Sequence, residues 1–484
     1  MRLPLLTATA ALALSACAAG PDYVAPLPPA AASGPFISTS PAVAEAPIAE
    51  NWWQLYRDPV LDRLVGEALA ANTDIRVAVA RLARARASLR EVRTDRLPNV
   101  GVGASATYGR VAEGQAAPGA DRQGWTVDAG LDVAYEVDLF GRVNRGVEAA
   151  RGDVGAAEAD AQAVRVAVAA ETARAYADAV SAAERQAVAE RIVALLDRSL
   201  QLTARRAEVG LATGLDTARI ATLRDQRQAD VPALAAERQA ALFRLATLTG
   251  RAPGELPAEA AARTSTLRLD QPIPVGDGAA MLARRPDVRA AERRLAAATA
   301  RIGVATADLY PRITLGASIG STGGGLGDLF GGGPLRWLLG PLINWTFSDH
   351  ARARARVAGA EADTQAALAT FDGAILRALE ETETALSNYA HLLQRRTALK
   401  GARDQAERAA IITRAQQREG QINSLPLLDA ERTFADTEAQ LALADARIAD
   451  AQVDLFRSLG GGWQTSQPGG QLAAIADGSP GGIR

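Results

Sequence analysis

The hydrophobic and polar positions of two short stretches alternate with a period of two. In residues 100–108, apolar residues occupy the even positions and Gly, Ser or Thr the odd ones. Residues 313–319 alternate likewise, with the apolar residues at the odd positions. A glycine-rich loop and a second apolar stretch follow each of them. The pattern therefore predicts two β-hairpins, over residues 98–140 and 311–349, each with one apolar and one small or polar face.

Each hairpin is followed by a stretch that predicts a very long helix. Residues 141–209 contain no proline over 69 positions, and residues 349–420 contain none over 72. At about 1.5 Å per residue, each stretch could form a helix of about 100 Å. Each ends in a short turn from which a second helix returns, so we expect long helical hairpins over residues 141–250 and 350–459.

The turns of the two helical hairpins are alike and are centred on Gly210 and Gly420. Glycine commonly follows the end of a helix, and a side chain just beyond it can cap the returning helix. The candidate caps are Thr213 or Asp216 in the first turn and Asn423 or Ser424 in the second. The two turns therefore occupy equivalent positions and form one tip.

Apolar residues recur every seven positions along the last predicted helix. They are Leu427, Phe434, Leu441, Ile448 and Leu455, and a small residue follows each of them three positions later. A strict seven-residue repeat predicts a left-handed coiled coil, and the small residues allow a neighbouring helix to approach closely. A soluble periplasmic coiled-coil scaffold would show the same repeat, so it stays an alternative.

One half of the chain repeats the other at a constant spacing. Four landmarks recur 213 residues later, in the pairs Asp74 and Asp287, Asp95 and Asp308, Pro98 and Pro311, and Ser105 and Ser318. Four matches without a gap indicate an internal duplication. We therefore divide the chain into a first repeat (residues 51–250), a Pro- and Gly-rich connector (residues 251–278) and a second repeat (residues 279–463).

The two ends of the chain carry different signals. A basic start, an apolar core and a cleavage region before Cys17 resemble a bacterial lipoprotein signal, which implies removal of residues 1–16 and acylation of Cys17. An ordinary signal peptide with an incidental cysteine is the alternative. We expect residues 17–50, rich in Pro, Ala and Ser, to form an extended and poorly packed leader, and residues 464–484 to be disordered.

The composition argues against several classes of function. A net charge of −2 over 484 residues does not indicate a nucleic-acid partner, and two histidines and one cysteine are few for a metal site or a catalytic pair. No catalytic residue, metal or cofactor is therefore predicted. The pair Trp52-Trp53 could line the active site of an exported enzyme, but an aromatic cluster that holds a helix in place is the favoured interpretation.

The aromatic residues favour a membrane environment for the two hairpins. Eight of the 21 aromatic residues fall in or beside the strands, and strands of about 9–11 residues with aromatic girdles are typical of transmembrane β-barrels. A soluble β-sandwich would explain the alternation but not the aromatic clustering. Four strands cannot close a barrel, and open edges in lipid would leave backbone groups unpaired. If the strands lie in lipid, several copies must share one barrel.

Five short motifs together resemble one protein family. They are the lipobox at Cys17, Asn51-Trp52-Trp53, the run from Tyr135 to Arg142, Arg285-Pro286-Asp287-Val288-Arg289 and Leu459-Gly460-Gly461-Gly462-Trp463. Over residues 15–465 the chain is similar to the outer-membrane efflux lipoproteins of the TolC-like superfamily, in the OprM/NodT branch. The resemblance implies an α+β membrane protein. It implies a homotrimer in which each protomer gives four transmembrane strands to a twelve-stranded barrel and extends long coiled-coil helices into the periplasm.

The same resemblance implies a function, partners and a location. It implies an outer-membrane channel, lipid-anchored through Cys17, that passively conducts small molecules. An inner-membrane pump of the RND type would expel these molecules, and a periplasmic adaptor protein would join the pump to the channel. The same fold serves type I protein secretion, which stays the alternative function.

The resemblance also implies two functional sites at the tip. A leucine and an aspartate one helical turn apart form the periplasmic gate of this family, and they match Leu425 and Asp429, with Pro426 between them at the helix start. Asp429 could instead be a first-turn acid that favours the helix dipole. The segments that adaptor hairpins contact correspond to Val209, Gly210, Leu211, Ala212, Thr213, Gly420 and Gln421.

Overall fold

The computed structural model describes residues 19–29, 32–47, 50–110, 112, 121–269, 271–327, 329, 335–345 and 350–461. Cys17, the predicted signal peptide and the predicted tail lie outside these residues. The chain divides into two compact units. Unit 1 comprises the residues up to 26, 81–158 and 290–372, and unit 2 comprises residues 27–80, 159–289 and those from 373 onward.

Helices make up most of the described chain. The elements are, in chain order, β1 (Val43–Ala44), α1 (Pro59–Ala71), α2 (Thr73–Thr94), β2 (Asn99–Arg110), β3 (Gln123–Glu136), α3 (Arg142–Glu208), α4 (Gly214–Leu248), β4 (Ile273–Pro274), α5 (Gly278–Arg284), α6 (Pro286–Ala307), β5 (Arg312–Gly323), β6 (Leu335–Asn344), α7 (His350–Arg418) and α8 (Ser424–Ser458). Short 3-10 helices lie at Trp52–Tyr56, Pro253–Glu255 and Ala258–Ala261.

Unit 1 contains a four-stranded antiparallel sheet in the order β2-β3-β5-β6. Each predicted hairpin forms one half of this sheet, because Asn99 pairs with Ala134 in the first and Arg312 with Asn344 in the second. The halves are joined by pairing between β3 and β5, where Ala134 lies opposite Gly316. Strands β2 and β6 are the two edges of the sheet.

The second strand of each hairpin is shorter than the sequence predicted. β3 ends at Glu136 and not at Phe140, because the carboxylate of Asp138 accepts hydrogen bonds from two backbone N–H groups in the first turn of α3. Asp138 thereby caps the helix and takes the chain out of the sheet. β6 ends at Asn344, before the end of the predicted hairpin at residue 349.

The long helices have 67 residues in α3 and 69 in α7, and each returning helix, α4 and α8, has 35. Ala, Arg, Glu and Leu, which are strong helix formers, are common in all four. α3 and α7 contain no proline, whereas α4 contains Pro232 and α8 contains Pro426 in its first turn. None of the helices in the described ranges is apolar over enough residues to cross a membrane.

The seven-residue seam of α8 faces the core of unit 2. Leu427, Phe434, Ile448 and Leu455 are buried, and Leu441 is half-buried. The same repeat that predicts a coiled coil therefore marks the side of α8 that packs against the rest of unit 2.

An aromatic cluster holds the start of the ordered chain in unit 2. Trp52 has no exposed surface, stacks on Phe456 of α8 at 4.7 Å between ring centroids, and makes edge contacts with Trp53 and Tyr56. This confirms that Trp52-Trp53 serves as a packing cluster, and a buried ring cannot line an open active site.

Asp58 joins three segments of unit 2. Its Oδ1 accepts hydrogen bonds from the backbone N–H groups of Val60 (2.9 Å) and Leu61 (3.2 Å) and so caps α1. Its Oδ2 accepts from the hydroxyl of Tyr176 on α3 (3.0 Å) and from the guanidinium of Arg263 in the connector (2.9 Å). One buried carboxylate therefore satisfies donors from two segments distant in sequence as well as from its own helix.

Glycine allows a close approach of α3 and α6 in unit 1. A Cβ on Gly152 would lie only 2.9 Å from the Cβ of Ala297, nearer than side chains pack. On the same side of α3, the carboxylate of Asp153 accepts from Arg301 at 2.6 Å. The two helices therefore depend on a small residue at this level.

The leader is packed more closely than the sequence predicted. In unit 1, Gly20 lies against Gly303, where a Cβ would be 2.5 Å from the backbone. In unit 2, the carboxylate of Glu383 accepts from the backbone N–H groups of residues 37 and 38, and β1 pairs in parallel with β4 of the connector. Composition does not reveal these contacts because backbone groups make most of them.

Candidate functional site

The register of the sheet in unit 1 sorts its side chains into two chemically different faces. Directly paired residues of an antiparallel sheet point to the same side. One face therefore carries the large apolar residues Val100, Val102, Tyr108, Trp125, Val127, Leu131, Val133, Tyr135, Ile313, Leu315, Ile319, Leu335, Trp337, Leu339 and Ile343. The opposite face carries mainly Gly, Ser, Thr and charged residues, together with Leu338 and Leu342.

Both faces of this sheet are largely uncovered by the described chain. Every residue of β2 is exposed, and Val102 and Trp337 on the apolar face are 84% and 74% exposed. A contiguous apolar face of this kind needs cover by lipid or by another protein. The strands have between 10 and 14 residues, which is enough to cross the hydrocarbon of a bilayer.

A charged clasp crosses the polar face of the sheet. Arg336 on β6 donates from Nη2 to both carboxylate oxygens of Asp128 on β3 (2.8 and 2.7 Å) and from Nε to the hydroxyl of Thr322 on β5 (3.1 Å). The arginine can reach across β5 because Gly320 and then Gly130 lie beside it in the register and have no side chain. This clasp cannot be predicted from the sequence, since it depends on the pairing of β3 with β5.

The first turn of the tip, in unit 2, has the predicted glycine and a complete cap. Gly210 adopts a φ of +75°, which favours glycine. The hydroxyl of Thr213 accepts from the backbone N–H of Asp216, whose carboxylate accepts in return, and these hydrogen bonds lower the pKa of Asp216. Val209 and Leu211 on either side of the glycine are exposed. The turn therefore has a capped backbone and an apolar surface.

The second turn is built in the same way and is tied to the first. Gly420 adopts a φ of +72°, and the side chain of Asn423 caps α8 by accepting from the N–H of Leu425 at 3.2 Å. Arg206, at the end of α3, donates to the carbonyl of Gln417, at the end of α7, at 2.6 Å. The two turns therefore lie side by side within unit 2.

The residues of the predicted gate and of the predicted adaptor contact lie at the surface of unit 2. Leu425 is 53% exposed, and Asp429 one turn later is also exposed, whereas Leu427 between them is buried. Pro426 is the third residue of α8, where a backbone N–H has no partner within the helix. The exposed members of the predicted adaptor contact are Val209, Gly210, Leu211, Thr213, Gly420 and Gln421, and Ala212 is half-buried.

Close to the gate pair along α8, a buried carboxylate joins three helices. Glu431 is 4% exposed and accepts from the hydroxyl of Ser199 on α3 (2.7 Å) and from Nε of Arg414 on α7 (2.9 Å). Glu431 is followed directly by Arg432 in sequence, yet the cation of its ion pair is Arg414, which comes from another helix.

A second carboxyl cluster, which no local sequence pattern predicts, joins α3 to α8 in unit 2. A hydrogen bond links the side chains of Asp178 and Asp450, which requires that one carboxyl carry a proton. Burial, then repulsion by Asp178, raises the pKa of Asp450 to about 7. Arg174 pairs with the nearby Asp454 and only partly offsets this effect.

The predicted lipidation site, Cys17, lies outside the described residues. Two residues later the chain is held in unit 1, where the backbone N–H of Ala19 donates to the carbonyl of Phe140 at 3.0 Å. Phe140 stacks on Tyr310 at 4.5 Å, and both rings lie just beyond the strand ends of the sheet. Within the described ranges, no three His, Cys, Asp or Glu side chains are grouped so that they could hold a metal ion.

Comparison with known proteins connects this geometry to a family. The sequence matches the model described as outer membrane efflux protein over residues 64–251 and 279–461, one match in each repeat. It is 32% identical to outer membrane protein OprJ of Pseudomonas aeruginosa, over 94% of both chains. It is 30% identical to the pyoverdine export outer membrane protein OpmQ of Pseudomonas putida, over 94% of this chain and 97% of that protein.

The fold is also similar to that of solved outer-membrane proteins. Superposition on the outer-membrane channel OprN gives a TM-score of 0.87 with 38% sequence identity, over 93% of this chain and all of that one. The outer membrane protein VceC of Vibrio cholerae gives a TM-score of 0.80 with 28% identity, over 86% of this chain and all of that one.

Proposed function

The chain belongs to the outer membrane efflux protein family, and from this premise we propose that it is the outer-membrane channel of a tripartite efflux complex. It has the TolC-like fold and resides in the outer membrane with its helices in the periplasm. The channel conducts passively, and an inner-membrane pump of the RND type supplies the driving force. The relative OpmQ is named for pyoverdine export, so small molecules are the substrate class.

The observation that carries this proposal is the amphipathic sheet of unit 1. Its apolar face is exposed across all four strands, and its opposite face is lined by small and polar residues. Such a sheet can face lipid on one side and water on the other. Four strands are too few for a closed barrel, and lipid does not tolerate open edges, so three copies pool their strands in one twelve-stranded barrel.

The tip of unit 2 has two roles in this proposal. The exposed apolar residues Val209 and Leu211 in the capped first turn, with Gln421 of the second turn, form the contact for a periplasmic adaptor protein. Leu425 and Asp429 from three copies surround the axis and close it. Three leucines exclude water, and three carboxylates repel one another and attract cations.

The experiment records conductance of the full-length protein in planar bilayers. We expect a small conductance for the native chain and a clearly larger one for Leu425→Ala/Asp429→Ala, because the constriction is removed. Leu215→Ala is the matched control, since Leu215 occupies the equivalent place in the first turn and is similarly exposed. Equal conductance of the native and double-variant channels would remove these residues from the gate. A chain that forms no channel at all would overturn the proposed function.

Two further parts of the proposal concern the anchor and the alternative substrate. Acylated Cys17 anchors the chain in the outer membrane, and Cys17→Ser should abolish incorporation of labelled fatty acid but leave channel formation intact. Type I protein secretion is the alternative function. It predicts that a strain lacking this channel loses an exported protein and keeps its resistance to small toxic compounds, whereas the efflux proposal predicts the opposite.

A further inference from the structure

The two edge strands of the sheet also predict which residues pair when copies of the chain join. Among the residues that the structure describes, strands β2 and β6 have no neighbour on their outer sides. Which residues meet when one copy joins the next is not visible in a single chain. The internal duplication makes it possible to derive the register between β6 of one copy and β2 of the next. This inference rests on the proposal above that several copies share one barrel.

The first step matches the strands of the two repeats. Asn99 begins β2 and Arg312 begins β5, 213 residues later, as the sequence landmarks require. Asn99 pairs with Ala134, and Arg312 pairs with Asn344. Ala134 on β3 is therefore structurally equivalent to Asn344 on β6.

The second step uses the junction between the repeats. Within the chain, Ala134 of the first repeat lies opposite Gly316 of the second. Gly316 is equivalent to Gly103, which lies 213 residues earlier. If the junction between two copies repeats the junction within one, the residue opposite Asn344 is Gly103. We propose that β6 pairs in antiparallel orientation with β2 of a second copy of this chain, with Asn344 opposite Gly103.

This register is consistent with the chemistry of both faces. It places Ile343 opposite Ala104 and Leu339 opposite Tyr108, so the apolar face continues without a break from one copy to the next. It places Leu342 opposite Ser105 on the polar side. A slip by one residue would exchange the faces, so only slips by two residues compete with this register.

Disulfide formation measures the register directly. Facing residues of an antiparallel pair have Cα atoms about 4.5–5.5 Å apart, within disulfide range, whereas diagonal neighbours are about 7–8 Å apart. The chain with Gly103→Cys/Asn344→Cys is expressed in full, and outer-membrane vesicles are oxidised with copper phenanthroline. The controls are the slipped pairs Gly101→Cys/Asn344→Cys and Ser105→Cys/Asn344→Cys. The single variants Gly103→Cys and Asn344→Cys show any contribution of Cys17.

The expected result is a ladder of covalent dimers and trimers for the facing pair. The yield should be roughly tenfold that of either slipped pair, because only facing residues reach disulfide geometry. A second facing pair, Ala104→Cys/Ile343→Cys, gives the same readout if the first variant fails to assemble. It also samples the adjacent position, which differs in its hydrogen bonding and Cα spacing.

Two contrary outcomes have different meanings. If unheated samples migrate as trimers and a slipped pair cross-links best, or neither facing pair cross-links, the register is wrong but the shared barrel stands. If unheated samples of the native chain contain only monomers, the shared barrel itself is wrong, and with it the proposed channel.

Discussion

The carboxyl pair between α3 and α8 makes the stability of unit 2 dependent on pH. Asp178 and Asp450 share a hydrogen bond, and burial raises the pKa of both side chains. The charged groups around the pair are Arg174, Arg244, Glu237 and Asp454, and the hydroxyl of Tyr56 lies close to Asp450. The perturbation that tests the pair is Asp450→Asn, which keeps a hydrogen-bonding side chain of similar size and removes the titration.

The sign and magnitude follow from the pKa. The folded chain holds a proton on Asp450 up to a pKa of about 7, against an ordinary value of 3.8. A raised pKa means that the folded state binds more protons than the unfolded state, so stability is greatest at low pH and is lost as the pH rises through about 7. At 1.36 kcal/mol per pKa unit, the loss between pH 5 and pH 8 is about 2–3 kcal/mol.

The assay is thermal unfolding of the detergent-solubilised protein, followed by circular dichroism of its helices. With about 2 °C per kcal/mol for a chain of this size class, the native protein should unfold roughly 5 °C lower at pH 8 than at pH 5. The Asp450→Asn variant should lose most of that difference. Asp225→Asn, which removes an exposed carboxylate from α4, is the matched control and should behave like the native chain.

The reasoning would be refuted by either of two results. A native protein that is more stable at pH 8 than at pH 5 contradicts the sign. An Asp450→Asn variant that keeps the full pH dependence shows that other groups cause it. In the second case the shared proton between α3 and α8 contributes nothing measurable.

Two further predictions concern packing. Asp58→Asn should lower the free energy of unfolding by about 2–3 kcal/mol, because a buried charged acceptor is lost. Tyr176→Phe removes a single hydroxyl and should lower it by about 1 kcal/mol. Chemical denaturation measures both, and equal losses would contradict the central role of Asp58 in this cluster. Gly152→Ala should destabilise by about 1–3 kcal/mol through overpacking, and Gly66→Ala, on an open face of α1, should stabilise by about 0.5–1 kcal/mol through helix propensity. The same sign for both alanines in thermal unfolding would show that the contact with α6 is unimportant.

The elements of this protein could be predicted from sequence because their patterns are local. The alternation in residues 100–108 specifies a strand with two unlike faces, and the proline-free runs specify α3 and α7. The heptads of α8 mark its buried side before any neighbour is known. The prediction that Trp52-Trp53 forms a packing cluster is confirmed, since aromatic rings beside a helix start are usually buried.

The contacts between elements could not be predicted, because residues far apart in sequence make them. Arg336 reaches Asp128 only because β3 pairs with β5, and because Gly320 and Gly130 leave the path across the sheet free of side chains. Glu431 has a neighbouring arginine in sequence but takes its ion pair from Arg414 on another helix. The composition of the leader predicts poor packing, because composition does not report the backbone contacts that hold this segment.

By itself, the sequence determined the kind of element at each position, the doubling of the unit and the side of each strand and helix that is apolar, since all of these follow from short-range periodicity. The tertiary structure alone decided which strand is neighbour to which and which acid meets which base. It also decided where two carboxyls must share a proton. These depend on the distance between segments after folding, which no local pattern encodes.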